Sequence, residues 1–463
     1  MSLRTTAVRG GLYMGLRQGL GIAVSTIGLI LLTRILGPEA FGIWVAALGI
    51  YDYFLKLSGW GVDIYLIRQE GEPSAQDYHQ AFTLLLLSGL AGTGLAFLAL
   101  PLIGRWTGLE ELGPVAAFLF AGLSVNLMAR VPLALLERAL DYRKVALIEL
   151  SELLVLYPVA IPLAYQGLGA WAPVAGWWAS RLVSLGLAYY LSGYRPRFYW
   201  ETGRIRAMVR FGTGYAAAEW VWMLNTLVNP LIVGRYLGAE AVGQIGLAIR
   251  LVDPIHLITA LPIRRISLPV FVRVRDDQAR LVRALNEGIT LQVMSLGPIL
   301  AGVGLIAPWI IPLLLGSKWL PALEVYPFLA TSYLTGAAVG LHASILYLLG
   351  KAWIVAVQRL THSALFVGAA FFLVPHLGVI GYGWTDMVAL PSYLLLLIWV
   401  LVYVGKPISA PAVIWYVAWV LPLFSWQLGH WTWVSAIVPF LWPTTRRELR
   451  RAVALVIRST SGS

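Results

Sequence analysis

"LTRILGPEAFGIW", residues 32 to 44, interrupts an apolar stretch near the start of the chain with an Arg, a Gly-Pro pair and a Glu. Nearly the same punctuation returns as "IVGRYLGAEAVGQ", residues 232 to 244. Six positions are identical at one constant offset: Arg34 and Arg235, Leu36 and Leu237, Gly37 and Gly238, Glu39 and Glu240, Ala40 and Ala241, Gly42 and Gly243. The same offset pairs Arg9 with Arg210, Gly11 with Gly212 and Asp52 with Asp253. Local chemistry explains the motif. A cation in the last turn of a helix suits the negative end of its dipole and reaches lipid headgroups. Gly37 is expected to take a left-handed cap conformation, Pro38 suits the first turn of the next helix, and Glu39 complements that helix's positive end. The stretch reads as a helix-turn-helix hairpin, and its recurrence reads as an internal repeat.

Composition says what the hairpin is embedded in. Of the 463 residues 59% are hydrophobic and 12% charged, with a mean hydropathy of +0.77. A soluble domain carries about twice that charged fraction. Apolar segments of about 20 residues, each long enough to cross a hydrocarbon layer of ~30 Å, recur from end to end. The chain is expected to be an all-α polytopic membrane protein of about fourteen spans, with twelve plus a loosely attached tail as the alternative. The fourteen are 12–32, 40–57, 80–104, 114–136, 146–166, 170–191, 212–233, 241–262, 287–314, 322–348, 352–374, 379–403, 408–427 and a short 430–443. The basic, then apolar N-terminus has no small-residue cleavage site and reads as the first span. There is no cysteine, which excludes disulfides and thiolate chemistry.

Charge orients the spans. With the N-terminus in the cytoplasm, 26 of the 34 Lys and Arg fall on cytoplasmic segments, while Arg34, Arg105, Arg235 and Lys318 fall outside. That bias is what the positive-inside rule requires. The net charge of +12 therefore reflects topology and contact with anionic lipids, and a nucleic-acid partner is not needed to explain it. Six spans separate the two hairpins, an even number, so both copies run the same way through the membrane. The expected architecture is two six-helix bundles related by a pseudo-two-fold axis along the membrane normal, plus about two C-terminal helices. The corresponding divisions are 1–194, a basic cytoplasmic linker 195–211, 212–405, and a tail 406–463.

The quoted hairpin resembles the first hairpin of the polysaccharide transporter family, the lipid-linked oligosaccharide flippases of the multidrug/oligosaccharidyl-lipid/polysaccharide exporter superfamily. The likeness continues through "LLERALDYRKVALIELSE" (135–152), "GLGAWAPVAGWWASRLV" (167–183) and "LPVFVRVRDDQARLVRA" (268–284). It extends to "LLGSKWLPA" (314–322), "YLLGKAW" (347–353) and "LGVIGYGW" (377–384), covering residues 1–405 in order. Two positions depart from the family pattern: Asn229 where an acidic residue is usual, and Ile245 where an aromatic is usual. The resemblance implies a flippase that moves an undecaprenyl-diphosphate-linked oligosaccharide across the bacterial inner membrane by alternating access, with a basic central cavity. It also implies anionic lipids and a polysaccharide polymerase as partners, both termini in the cytoplasm, and no enzymatic activity. The alternative within the superfamily is a cation-coupled multidrug or metabolite antiporter.

Charges inside spans are the site candidates, since an Arg at mid-membrane costs about 2.5–3.5 kcal/mol even on the lenient insertion scale. Arg17, Arg181, Arg250 and Arg359 suit a diphosphate, because a guanidinium grips phosphate oxygens with a planar set of donors. Each has a plainer reading: Arg17 can snorkel, and Arg250 can pair with Asp253 three residues on. Glu219, Asp253 and Glu152 are candidates for H⁺ or Na⁺ coupling, although Glu152 also follows a basic loop and is expected to pair with Arg143 or Lys144. Asp386 reads as a structural partner, and His256, His342 and His362 as packing residues. No metal cluster, nucleophile-base set or Walker-type GxxxxGK[ST] run is present, so no cofactor is expected.

Overall fold

The computed structural model describes residues 3–446 apart from 70, 407 and 444, with side chains described from residue 19 onward except at 214–218. All regular elements among the described residues are helical. Nine described helices are long and apolar enough to cross a membrane. Two of them are too long for one crossing. Gly19–Gly59 has 41 residues and Glu219–Arg273 has 55, about 60 and 80 Å at 1.5 Å per residue.

Both breaks fall in the repeated hairpin. Helix α1 (Leu3–Gly59) is interrupted at Gly37, φ 71° and ψ 173°. Helix α9 (Gly234–Arg273) is interrupted at Gly238, φ 82° and ψ −179°. The positive φ was expected, but the ψ is extended rather than left-handed helical. That corner of backbone space is open essentially to glycine alone, which reverses the chain more sharply than a helix cap would.

Contacts group the chain into two compact units, residues 1–244 and 245–463. The first holds α1, α2 (Val62–Arg68), α3 (Ala75–Thr107), α4 (Leu112–Phe120), α5 (Leu123–Arg138), α6 (Tyr142–Tyr165), α7 (Trp171–Ser192), α8 (Thr202–Met223) and the start of α9. Small residues let these helices approach closely, as lipid-embedded packing favours. A methyl at Gly28 would overlap the ring of Tyr157, and one at Gly176 the backbone of α6 at Leu156. Tyr157 also donates to the Ser25 carbonyl at 3.2 Å, tying α6 to α1. Helix α8 packs on α1, with Trp220 Nε1 donating to the Lys56 carbonyl at 3.1 Å and Trp60 edge-on to Trp220 at 5.2 Å. A 3₁₀ turn (Leu224–Leu227) and a π-helical turn (Val228–Val233) lead from α8 into α9. Asn229 is buried in that π turn and donates to the Val242 carbonyl at 3.3 Å. Residues 212–244 thus belong to the first unit by packing, although the repeat places them at the start of the second copy.

Within this first unit the two hairpins meet in a reciprocal contact. A methyl on Gly42 would overlap the carbonyl oxygen of Ala239, and a methyl on Gly243 would overlap the carbonyl oxygen of Pro38. Pro38 and Ala239 are themselves equivalent positions of the repeat, as Gly42 and Gly243 are. Each copy therefore presents the same glycine to the same carbonyl of the other, which is the pattern of an isologous contact.

The second unit contains the rest of α9, α10 (Gln278–Leu314), α11 (Ala322–Leu348), α12 (Ala352–Leu377), α13 (Val379–Ala389), α14 (Leu394–Tyr403) and α15 (Ala410–Leu423). Helix α15 packs firmly on α10, with Trp419 lying where a side chain at Gly297 would sit. After α15 and a four-residue α turn (Ser425–Leu428), the stretch corresponding to the expected last span is an eight-residue 3₁₀ helix (His430–Ile437) and a single α turn (Val438–Leu441). It folds back on α15 through Ser435, whose hydroxyl donates to the Ala418 carbonyl at 3.0 Å, and through Phe440 edge-on to Trp415. At the rises of these helices it spans about 22 Å, short of the ~30 Å hydrocarbon layer.

Candidate functional site

The first unit carries a charged pair in its interior. Arg181 is the middle residue of α7, and its Nη1 donates to Glu152 Oε1 of α6 at 2.9 Å. Ser184, one turn further along α7, donates to the same oxygen at 2.8 Å. The guanidinium lies 5.7 Å from the centroid of the Trp177 ring, and Tyr51 meets that ring edge-on at 5.0 Å. One N–H, a carboxylate and an indole face hold Arg181 in a fixed pose, while its buried Nε has no hydrogen-bond partner among the described residues. A guanidinium has five N–H donors, so most remain for an incoming acceptor.

This pairing differs from the expectation for Glu152. Lys144 pairs with Asp141 at 3.1 Å, next to it in the same turn. Glu152 lies eight residues beyond Lys144, about 12 Å along the axis, out of that cation's reach and level with Arg181. The unit has a second pair of this kind, Arg130 with Asp63 at 3.2 Å.

The second unit is built from carboxylates and hydroxyls. Asp253 of α9 accepts a short hydrogen bond from Tyr333 of α11, whose ring lies edge-on to His256 at 5.5 Å. Asp253 thus takes a partner, Tyr333, from a helix other than its own. The neighbouring residue Ser332 donates to Asp386 of α13 at 3.0 Å, and Asp386 is buried. Elsewhere in this unit His362 and Gln358 of α12 meet Ser392 of a 3₁₀ turn (Leu390–Tyr393) at 3.0 and 3.4 Å, and Thr335 of α11 meets Tyr416 of α15 at 2.6 Å. Arg250 and Arg359 are half-buried in this unit, and Glu219 is half-buried in the first. The side chain of Arg17 lies outside the described residues. Consecutive residues of α11 thus face two acids on different helices, an arrangement that periodicity alone does not signal. Among the described residues no group of His, Cys, Asp and Glu is placed to hold a metal ion.

Comparison with known proteins bears on this arrangement. The model of a family described as "polysaccharide biosynthesis protein" matches residues 31–324. The chain is 27% identical over 303 residues to the succinoglycan biosynthesis transport protein ExoT of Rhizobium meliloti, covering 65% of this chain and 61% of that one. It is 25% identical over 332 residues to the lipopolysaccharide biosynthesis protein WzxC of Escherichia coli, covering 70% and 67%. The match thus spans about three fifths of the length of ExoT and two thirds of WzxC. Among solved structures, the lipid II flippase MurJ in an inward closed conformation superposes with a TM-score of 0.74 at 12% identity, over 97% of this chain and all of that one. An inward-facing MATE-family multidrug resistance transporter superposes with a TM-score of 0.60 at 16% identity, over 80% and 97%. At such identities the likeness is one of fold. The chain is a multi-pass helical membrane protein with the fold shared by MurJ and the MATE transporters, and it belongs to the polysaccharide biosynthesis protein family.

Proposed function

We propose that this protein is a flippase that carries a polyprenyl-diphosphate-linked oligosaccharide across the bacterial inner membrane by alternating access, for assembly of a surface polysaccharide. The observation that carries the reading is Arg181. A cation at the middle of a membrane helix is expensive. This one is oriented by Glu152 and Trp177 with donors to spare, as a site for a diphosphate requires. Arg250 and Arg359 supply further cations from the second unit. The flippase reading is supported by family membership, by the similarity to the succinoglycan transport protein ExoT and by the fold shared with the lipid II flippase MurJ.

The proposed membrane arrangement has about fourteen membrane segments, the last of them short of a full straight crossing, both termini in the cytoplasm, and two six-helix bundles (within 1–194 and 212–405) related by a two-fold along the membrane normal. The identical kinks at Gly37 and Gly238 and the exchanged Gly-carbonyl contacts support that symmetry. They also support a state in which the outer hairpins are closed on each other. The proposed partners besides the substrate are anionic lipids and a polysaccharide polymerase.

One observation favours an ion-driven cycle, and with it the antiporter reading as the alternative. Asp253 and Asp386 are held by hydroxyls of adjacent residues, Tyr333 and Ser332, so either can bind H⁺ or Na⁺ without first breaking an ion pair.

The test is transport by Arg181→Ala and Arg250→Ala proteins in cells lacking the native gene. The expected result is normal membrane insertion with lipid-linked oligosaccharide trapped on the cytoplasmic leaflet. Normal surface polysaccharide from both variants would remove the arginine site.

A further inference from the structure

The segment joining α7 to α8 has no helix of its own between Gly193 and Glu201, yet it is fixed in place by the first turns of α3. The Tyr194 hydroxyl donates to the Tyr78 carbonyl at 3.1 Å and lies 3.1 Å from His79 Nδ1. The Tyr199 amide donates to Thr83 Oγ1 at 3.0 Å, and the Glu201 amide to Gln80 Oε1 at 2.6 Å. Arg204, in the first turn of α8, forks to Asp77 at 2.7 Å and Glu201 at 2.6 Å and reaches Gln76 at 3.2 Å. Backbone amides that a helix would have satisfied are thus satisfied by side chains of α3. The segment is a docked strap rather than a loose connection.

What the strap turns outward differs from what it turns inward. Tyr194 and Tyr199 face α3, while Arg195, Arg197, Phe198 and Trp200 are exposed, the two aromatics at 75% and 58%. Helix α8 continues the same character with exposed Arg206 and Arg210, four residues apart on one face. Glu201, the single acid between residues 193 and 211, is engaged by Arg204 and Tyr199. Among the described residues none of the four outer arginines has a carboxylate within ion-pair distance. The strap lies against the first turns of a membrane-spanning helix, so these groups sit level with the membrane edge.

Cations without partners beside large exposed aromatics at that level match the chemistry of a phospholipid interface, where arginines meet phosphates and aromatic rings enter the headgroup boundary. We infer that the 193–210 strap is a docking surface for anionic phospholipid headgroups of the inner leaflet, holding the junction between the two copies of the repeat to the membrane surface. This rests on the cytoplasmic placement proposed above.

The native chain has no cysteine, so Phe198→Cys gives a single labelling site on the full-length protein. The labelled protein is reconstituted in phosphatidylcholine alone or mixed with phosphatidylglycerol, and quenching of an environment-sensitive label by lipids with brominated chains is read. The expected result is roughly twofold stronger quenching when phosphatidylglycerol is present, reversed by salt. Combined Arg195→Gln, Arg197→Gln, Arg206→Gln and Arg210→Gln substitutions should abolish the difference. Equal quenching in both lipids would overturn the inference, and the salt titration decides it even if the fourfold variant folds poorly. A label that responds only to added cytosolic protein would overturn it in favour of a protein partner. Labelling of Phe198→Cys by a membrane-impermeant maleimide from outside right-side-out vesicles would overturn the proposed topology itself, a different failure from an absent lipid response.

Discussion

Glu152 and Asp386 are both carboxylates inside membrane-spanning helices, but their surroundings set them to different work. Glu152 takes a charged partner, Arg181, and a hydroxyl, Ser184. Asp386 takes a hydroxyl from Ser332 and is buried among neutral groups. The first arrangement keeps a cation in place inside the membrane. The second holds an acid through a neutral hydroxyl. Outside these interiors the two hairpins are alike, with closely matching dihedrals at Gly37 and Gly238. The turn and the reciprocal glycine contact are common to both hairpins, while the polar groups of the two interiors differ in kind.

The largest effect should come from the shared feature. Gly42→Val or Gly243→Val forces a side chain into a backbone carbonyl that cannot yield as a side chain would. At an overpacking cost of about 1–3 kcal/mol, closure of the hairpins should weaken roughly 5- to 150-fold. Surface polysaccharide output in complemented cells should fall accordingly, and equally for the two positions. Unequal losses would break the symmetry argument.

Next come the two kinks. Gly37→Ala and Gly238→Ala each put a side chain into backbone space that costs about 1–3 kcal/mol to occupy. Thermal unfolding in detergent should show matched destabilisation. A large effect at one kink alone would mean that the hairpins are not equivalent.

The contrast between interiors predicts a smaller, asymmetric result. Glu152→Leu leaves Arg181 without its counter-charge in a poorly hydrated place and should destabilise the protein by about 1–3 kcal/mol, less than a fully buried pair because both groups are about a quarter exposed. Asp386→Asn keeps a hydrogen bond to Ser332 and should cost less than about 1 kcal/mol, while transport loses its dependence on an ion gradient. Ion-dependent transport by the Asn variant would assign the coupling elsewhere, with Asp253 the next acid to test.

The smallest effect concerns pH at the strap. Burial, with Arg197 adding to it, lowers the pKa of His79 below its ordinary 6.5. Its neutral form is therefore favoured by docking, and that contribution is complete above pH 6.5 and fades as the pH falls toward the lowered value. Burial raises the Asp77 carboxyl, but hydrogen bonds from Ser74 and Arg204 outweigh it and leave the pKa below 3.8. Hydrogen bonds from Arg204 and then Tyr199 hold Glu201 below 4.5. Their contributions persist until more acidic pH. Protection of the Tyr199 and Glu201 amides from hydrogen exchange should be flat above pH 6.5, weaken slightly below it, and collapse only in strong acid. Weakening as the pH rises from 6.5 to 8 would contradict this sign.

How much of this was legible from the residues follows from distance along the chain. The hairpins were, because a Gly with flanking charges within six residues, joined by a Pro in the first copy, marks a turn from local sequence alone. The extended ψ at Gly37 was not, since it depends on how the second helix packs. The candidate cation Arg181 was legible as a charge in an apolar helix, but its partner was not. Glu152 lies 29 residues away on another helix, and sequence proximity favoured Lys144 instead. Asp386 reads as a structural partner from sequence, and the structure gives it Ser332 as that partner; its relation to Asp253 through Ser332 and Tyr333, more than fifty residues from either acid, was not legible. Pairings made by helix packing leave no trace in local spacing.

The most direct test of the central claim is the leaflet distribution of lipid-linked oligosaccharide in cells depleted of this protein. The account predicts accumulation of an oligosaccharide-diphosphate lipid facing the cytoplasm, with loss of the corresponding surface polysaccharide. Intact surface polysaccharide with no accumulation, in cells lacking any second flippase, would contradict it and favour the antiporter.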